Sequence, residues 1–173
     1  MLRFPDSEGL RPTPDRVRET LFNWLGQDLA GLSCLDLFAG SGALGFEAAS
    51  RGAARVVMVE NSAKVFAALD ANARVLSTDG RLQIVRADAV KFASSLPSAG
   101  SRFDVLFLDP PYKQGWIDRV TPLLAGLMAD DGVLYVEAEQ ALDGMGEWRT
   151  VRSGRAGQVC FHLMRRGEPD DAE

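Results

Sequence analysis

The apolar run Val105-Leu106-Phe107-Leu108 stops abruptly at Asp109-Pro110-Pro111-Tyr112, and this junction restricts the fold more tightly than any other stretch. An apolar run of that length, closed by prolines, reads as a strand buried on both faces, which is the habit of parallel sheets. Proline has no amide hydrogen and restricts the residue before it. The backbone must therefore leave the sheet on a fixed, extended path. That exit leaves unpaired carbonyls, a carboxylate and an aromatic face at the C-terminal edge of the sheet. These are the groups needed to hold a flat molecule that carries an amino group.

Around this strand, short apolar strands alternate with helical segments, the pattern of an α/β chain with a parallel sheet. Thr13 reads as an N-cap with Pro14 at the first helical position. Val17, Leu21, Trp24 and Leu25 then form an apolar stripe that Gly26 ends. Strands are expected at 34–38, 55–59, 82–85, 103–108 and 133–137, the last opened by an Asp131-Gly132 turn. Helices are expected up to residue 51, and over 62–76, 90–96 and 116–128, with Ser62 as a cap. Two more strands, 149–153 and 158–164, flank Gly154-Arg155-Ala156-Gly157, which has the spacing of an antiparallel hairpin.

The 173 residues suit one domain over 1–166, with residues 1–26 packed on it as a loop and a helix. Residues 167–173 read as an acidic, disordered tail. The formal net charge is −5, which argues at first against a nucleic-acid partner. Four of the acids lie in the tail, however, and residues 149–166 hold Arg149, Arg152, Arg155, Arg165 and Arg166 with no acid. That segment is either a local basic face or a solvated hairpin surface. No apolar stretch is long enough to span a bilayer, and the start lacks a signal-peptide pattern. Cys34 and Cys160 sit in apolar runs without metal spacing and read as buried thiols of a reducing compartment, the cytoplasm. No metal site is expected.

Asp36-Leu37-Phe38-Ala39-Gly40-Ser41-Gly42-Ala43-Leu44-Gly45 joins the first strand to a helix. Its glycines permit a tight turn and close approach of a ligand, and the helix N-terminus adds oriented N–H groups. Gly40, Gly42 and Gly45 match the dinucleotide fingerprint, and Glu60 ends the second strand with an acid, so a nicotinamide-dependent oxidoreductase is a rival reading. Asp36 counts against it, because a carboxylate before the glycines is set to meet a cation rather than a pyrophosphate. A ligand with an ammonium, a sulfonium and a ribose suits these residues better, and S-adenosylmethionine carries all three. Glu60, beside Asn61, would take the ribose hydroxyls. Asp88 would read the adenine amine, and Phe38 and Ala89 would flank the cofactor, with Ser41 in the glycine turn.

With these motifs in hand, the chain resembles the class I methyltransferases. More narrowly, it resembles the bacterial small-subunit (16S) ribosomal RNA guanine-N2 methyltransferases, over about Ser7 to Met164. The specific matches are Glu8-Gly9-Leu10-Arg11-Pro12-Thr13, Asp15-Arg16-Val17-Arg18-Glu19-Thr20-Leu21-Phe22-Asn23-Trp24-Leu25, the glycine turn, Asp109-Pro110-Pro111-Tyr112 and Ala156-Gly157-Gln158-Val159. The resemblance implies a Rossmann-like fold: a seven-stranded, mostly parallel sheet in the order 3-2-1-4-5-7-6, strand seven antiparallel, with helices on both faces. Family members usually begin with a Gly- and Arg-rich hairpin ahead of the segment that starts here at Leu2. The chain is therefore either truncated there or makes different RNA contacts.

The expected reaction is methyl transfer from S-adenosylmethionine to the exocyclic N2 amine of a guanine, leaving S-adenosylhomocysteine. Asp109 and the Pro110 carbonyl would accept the two amine hydrogens, Pro111 would fix the exit path, and Tyr112 would stack on the base. Arg11, Arg16, Arg18 and Lys113 would hold RNA phosphates, or the arginines would pair with Asp15 and Glu19 on the helix surface. Trp116 either lines the entrance or faces the core. His162, far in sequence from these motifs, reads as structural. The substrate would be small-subunit ribosomal RNA, free or within an assembling 30S particle, and the protein a monomer. The rival readings are a DNA adenine-N6 methyltransferase, which shares the Asp-Pro-Pro-Tyr motif, and a non-enzymatic RNA-binding module.

Overall fold

A computed structural model describes residues 13–76, 79–96 and 102–167. The opening segment before Thr13, with Arg11, and the acidic tail from residue 168 lie outside the described residues. Eight strands form one sheet among them: β1 (Ser33–Asp36), β2 (Arg55–Glu60), β3 (Leu82–Arg86), β4 (Phe103–Leu108), β5 (Met128–Ala138), β6 (Gly144–Met145), β7 (Trp148–Ala156) and β8 (Val159–Arg166). Their order is β3-β2-β1-β4-β5-β8-β7-β6. Strands β1 to β5 run parallel, and β8 adds antiparallel to β5. This is the expected class I methyltransferase order with one extra strand, the two-residue β6, which pairs antiparallel with β7 at the sheet edge.

Helices cover both faces because strand side chains alternate and both sides are apolar. In β2, Val56 and Met58 enter one core and Val57 and Val59 the other. The first core is closed by α1 (Asp15–Leu25), α2 (Ala43–Ser50) and α3 (Ala63–Leu76), the second by α4 (Ala89–Ser95), α5 (Trp116–Val120) and α6 (Leu124–Leu127). No described helix is long and apolar enough to cross a membrane.

Four expectations need correction. The single helix at 116–128 is broken into α5, a 3-10 turn Thr121–Leu123 and α6, because Pro122 cannot donate to the ladder. The hairpin turn is Gly157-Gln158 rather than residues 154–157, since β7 stays paired to Ala156↔Val159 and Gly157 takes the left-handed conformation. The β4–β5 register jumps from Phe103↔Met128 to Val105↔Val133, so the Asp131-Gly132 turn is a bulge inside β5. Thr13 does not cap α1. Pro14 takes the N-cap position, and the Thr13 hydroxyl goes elsewhere. Ser62, by contrast, does cap α3, with Oγ accepting the Val65 N–H at 3.3 Å.

Candidate active site

Parallel strands finish on one edge of a sheet, and here each finishes at or close to an acid. Asp36 and Glu60 are the last residues of β1 and β2. Asp88 lies between β3 and α4, Asp109 follows β4, and Glu137 is next to last in β5. Strand β1 lies between β2 and β4, where the winding reverses and such sheets open a crevice.

On the β1 side of the crevice, Gly40 and Gly42 have φ of +53° and +84°. Only glycine takes these values without strain. The Gly40 N–H donates to Glu60 Oε2 at 2.9 Å and the Ser62 N–H to Oε1 at 3.0 Å. Glu60 thus ties the glycine turn to the end of β2, and each oxygen keeps a second lone pair for a ligand. Gly45 serves packing instead: a Cβ there would run into the Met58 side chain of β2. Ser41 is buried in this turn and Asn61 is exposed beside Glu60.

Phe38 is half-buried, and its ring meets Trp116 edge-on at 5.3 Å. The Trp116 indole donates to Gln114 Oε1 at 3.0 Å, and the Arg119 guanidinium lies 4.2 Å above its ring. Of its two expected positions, Trp116 therefore takes the one beside Phe38, half-buried at the crevice. Asp88 is the N-cap of α4: its Oδ1 accepts the N–H groups of Val90 and Lys91, both at 3.0 Å. The cap uses one oxygen, so a bond from Oδ2 to an adenine amine is compatible with it. Ala89 is buried in the first turn of the same helix.

On the β4 side, Asp109 and Pro110 leave the sheet as the sequence predicts, with Pro110 buried and Pro111 and Tyr112 half-buried. Lys113 is exposed with φ +61°, the one non-glycine residue with positive φ among the described residues. A long side chain in that region marks local strain directly after the proline pair and Tyr112. Arg16 is exposed on α1, and Arg18 pairs with Asp15 at 2.9 Å, as the helix-surface reading has it.

Three residues of this site escape the sequence reading: Thr13, Tyr135 and Glu137. The Thr13 hydroxyl lies 3.2 Å from Glu137 Oε2 and 3.4 Å from Asp109 Oδ2. The Tyr135 hydroxyl donates to Glu137 Oε1 at 2.9 Å. Glu137 lies at the end of its strand as Asp36 and Glu60 do, so the rule that finds those two finds it also. Nothing in the sequence distinguishes the Thr13 hydroxyl from a helix cap.

The crowding of acids shows in their proton affinities. Burial pushes the Asp36 carboxyl up to about 7 against a pull from the Phe38 N–H, with Glu60 and Glu137 adding to the rise. Burial also raises Asp109 well above the ordinary carboxylate range, helped by Glu137 and Asp36 and opposed by the Thr13 hydroxyl. A buried anion next to other anions calls for a cation, and a positively charged ligand in the crevice would supply it. His162 sits apart and is structural: Nε2 accepts the Leu142 N–H at 2.9 Å and Nδ1 lies 3.1 Å from the Val136 carbonyl. Burial lowers its proton affinity, consistent with a neutral ring.

Comparison with known proteins agrees with this geometry. A family model described as "Conserved hypothetical protein 95" matches residues 1–165. The chain is 42% identical over 178 residues to ribosomal RNA small subunit methyltransferase D of Escherichia coli K12, covering 98% of this chain and 87% of that protein. Among solved structures, an Escherichia coli protein described as "Putative methyltransferase yhhF" is 39% identical with a TM-score of 0.82, covering 96% of this chain and 92% of that one. An RNA methyltransferase of Salinibacter ruber, in complex with S-adenosyl-L-homocysteine, shares the fold at 18% identity, with a TM-score of 0.71 and coverage of 94% and 99%. On the family match and the identity across nearly its whole length, the chain belongs to the ribosomal RNA small subunit methyltransferase D family, on a class I methyltransferase fold.

Proposed function

We propose that this protein is an S-adenosylmethionine-dependent methyltransferase that acts on the N2 amine of a guanine in small-subunit ribosomal RNA, as a monomer of one domain in the cytoplasm. The row of acids at the carboxyl ends of β1 to β5, with the Asp109-Pro110 exit among them, is the observation that carries this reading. S-adenosylmethionine supplies a methyl group already activated on a cationic sulfur. Buried Asp36 suits the positive charge of that ligand, the Gly40 to Gly42 turn suits its close approach to backbone, and Glu60, Asn61 and Asp88 suit its ribose and adenine. Phe38 and Ala89 suit its flanks, with Ser41 within the turn.

The guanine N2 lone pair is delocalised into the ring, so the protein's task is alignment rather than strong base catalysis. Asp109 and the Pro110 carbonyl accept the two amine hydrogens, which turns the nitrogen lone pair outward and stabilises the charge that develops on it. Tyr112 stacks on the base, which must leave its own stack to reach the crevice. Arg16 and Lys113 are exposed and suit phosphates; Arg18 would have to exchange Asp15 for one.

The test is methyl transfer from labelled S-adenosylmethionine to three separate acceptors: naked small-subunit ribosomal RNA, small subunits lacking the modification, and duplex DNA. N2-methylguanosine from either RNA acceptor is the expected product, and the better acceptor identifies free RNA or the 30S particle as substrate. N6-methyladenine from DNA would overturn the reading.

A further inference from the structure

Asp109 has a neighbour that the amine-holding role does not use. Glu137 is buried at 2% exposure, and it lies close enough to Asp109 for their carboxyl groups to share a hydrogen bond. The Thr13 hydroxyl stands between them, with one proton to donate and two carboxylate oxygens within 3.4 Å. Tyr135 fixes the far oxygen of Glu137. These four side chains come from three separate parts of the chain, and Thr13 reaches partners 96 and 124 residues away.

We propose that Glu137 is a positioning residue which, with Thr13 between, shares the proton that Asp109 takes from the acceptor amine. This rests on the function proposed above. While a cationic ligand lies beside Asp36, Asp109 is ionised and accepts the amine hydrogens. Once the positive charge has moved to the nitrogen, one N–H bond breaks. Its electron pair stays on nitrogen and the proton goes to Asp109. The pair then carries one proton between two carboxyl groups, which like charges held this close favour. The proton leaves to water when the product does. The titratable groups facing Asp109 are Glu137 and Tyr135 on β5 and Asp36 on β1, with Tyr112 beside Tyr135 and Glu60 beside Asp36.

Removing the two partners should move Asp109 in opposite directions. Glu137→Gln keeps the shape and removes a negative neighbour, so the acid limb of kcat, measured at saturating cofactor and RNA, should move down by about one pH unit or more. Thr13→Val removes a donor to the carboxylate and should move the limb up, and Thr13→Ser should restore it. A merely structural role would lower kcat or stability without moving the limb. Limbs that stay at the wild-type position in both variants, or move the same way, overturn the proposal. Should Glu137→Gln fail to fold, the Thr13→Val and Thr13→Ser pair decides alone.

An infrared titration of the protonated carboxyl stretch in the ligand-free protein, assigned by its loss in Asp109→Asn, gives the same comparison without turnover. A wild-type protein that modifies no RNA therefore fails the proposed function. The infrared midpoints still decide the role of Glu137: unmoved midpoints overturn it and opposite shifts support it.

Discussion

A carboxyl group that the fold forces away from water makes its own pH signature, and Asp36 is the clearest case. Its ordinary value of 3.8 rises to about 7 in the folded protein. Below the lower value it is protonated in both states. Between the two, the unfolded chain loses the proton while the folded one keeps it, so stability falls as pH rises through that window and levels off above it. The difference between wild-type and Asp36→Asn unfolding curves should show this decline and its disappearance in the variant. A cationic ligand reverses the shift, so S-adenosylmethionine should release a proton on binding just below neutral pH. Calorimetry in buffers of different ionisation enthalpy reads that release, and no buffer dependence would remove Asp36 from the cofactor site. Across the crevice, Asp109→Ala should lower kcat by about 10²–10³-fold with cofactor affinity nearly unchanged. Tyr112→Ala should cost about 1–3 kcal/mol of substrate binding. A thermal-shift titration with cofactor, set beside turnover on RNA, separates the two effects.

At the level of elements, the step after the proline pair concentrates the backbone strain of the described residues. Lys113 holds φ +61° between Tyr112 and the turn into α5. Lys113→Gly should stabilise the fold by about 1 kcal/mol, and Lys113→Val should destabilise it by at least as much. Chemical denaturation of both variants checks the pair, and equal midpoints would mean that the turn relaxes without strain. The same step shows what the sequence makes legible. The Pro110-Pro111 exit, the five parallel strands and the glycine turn announce themselves because each rests on a residue with few backbone choices or on a clear apolar run. The break of the 116–128 helix at Pro122 follows from the same rule, yet a strong apolar stripe conceals it. The shift of the hairpin turn to Gly157-Gln158 depends on cross-strand pairing between β7 and β8, which local sequence does not display. Thr13 is the hardest case. Its local pattern is a good helix cap, and only the tertiary approach of β4 and β5 gives its hydroxyl two carboxylates instead.

For the molecule as a whole, the question is how a chain of net charge −5 approaches RNA. The far end of the sheet offers a candidate surface. Arg149, Arg152, Arg155 and Arg165 are exposed on the β7–β8 hairpin, while Arg166 is bound to Asp130 at 2.8 Å. Replacing Arg149, Arg152 and Arg155 by Gln should reduce the salt dependence of RNA binding, by a slope of about 0.7 for each phosphate that the hairpin no longer neutralises on single-stranded RNA. Filter binding over a salt series measures this, and an unchanged slope would make the hairpin a solvated surface only.

The position of β1 carries a last consequence, for how the protein is made. This strand precedes the other seven described strands in the chain, but its two neighbours, β2 and β4, follow at quite different times. While the chain is still emerging, β1 can gain β2 and the α2 cover, but its other edge stays open to water until β4 arrives. The edge of β1 that ends in Asp36 therefore has no partner strand until residues 103–108 are made. Only the arrival of β4 and β5, bringing Asp109 and Glu137, closes water out. The crevice and its crowded acids therefore cannot be complete until β4 and β5 have joined β1, long after the strand that opens the sheet is made.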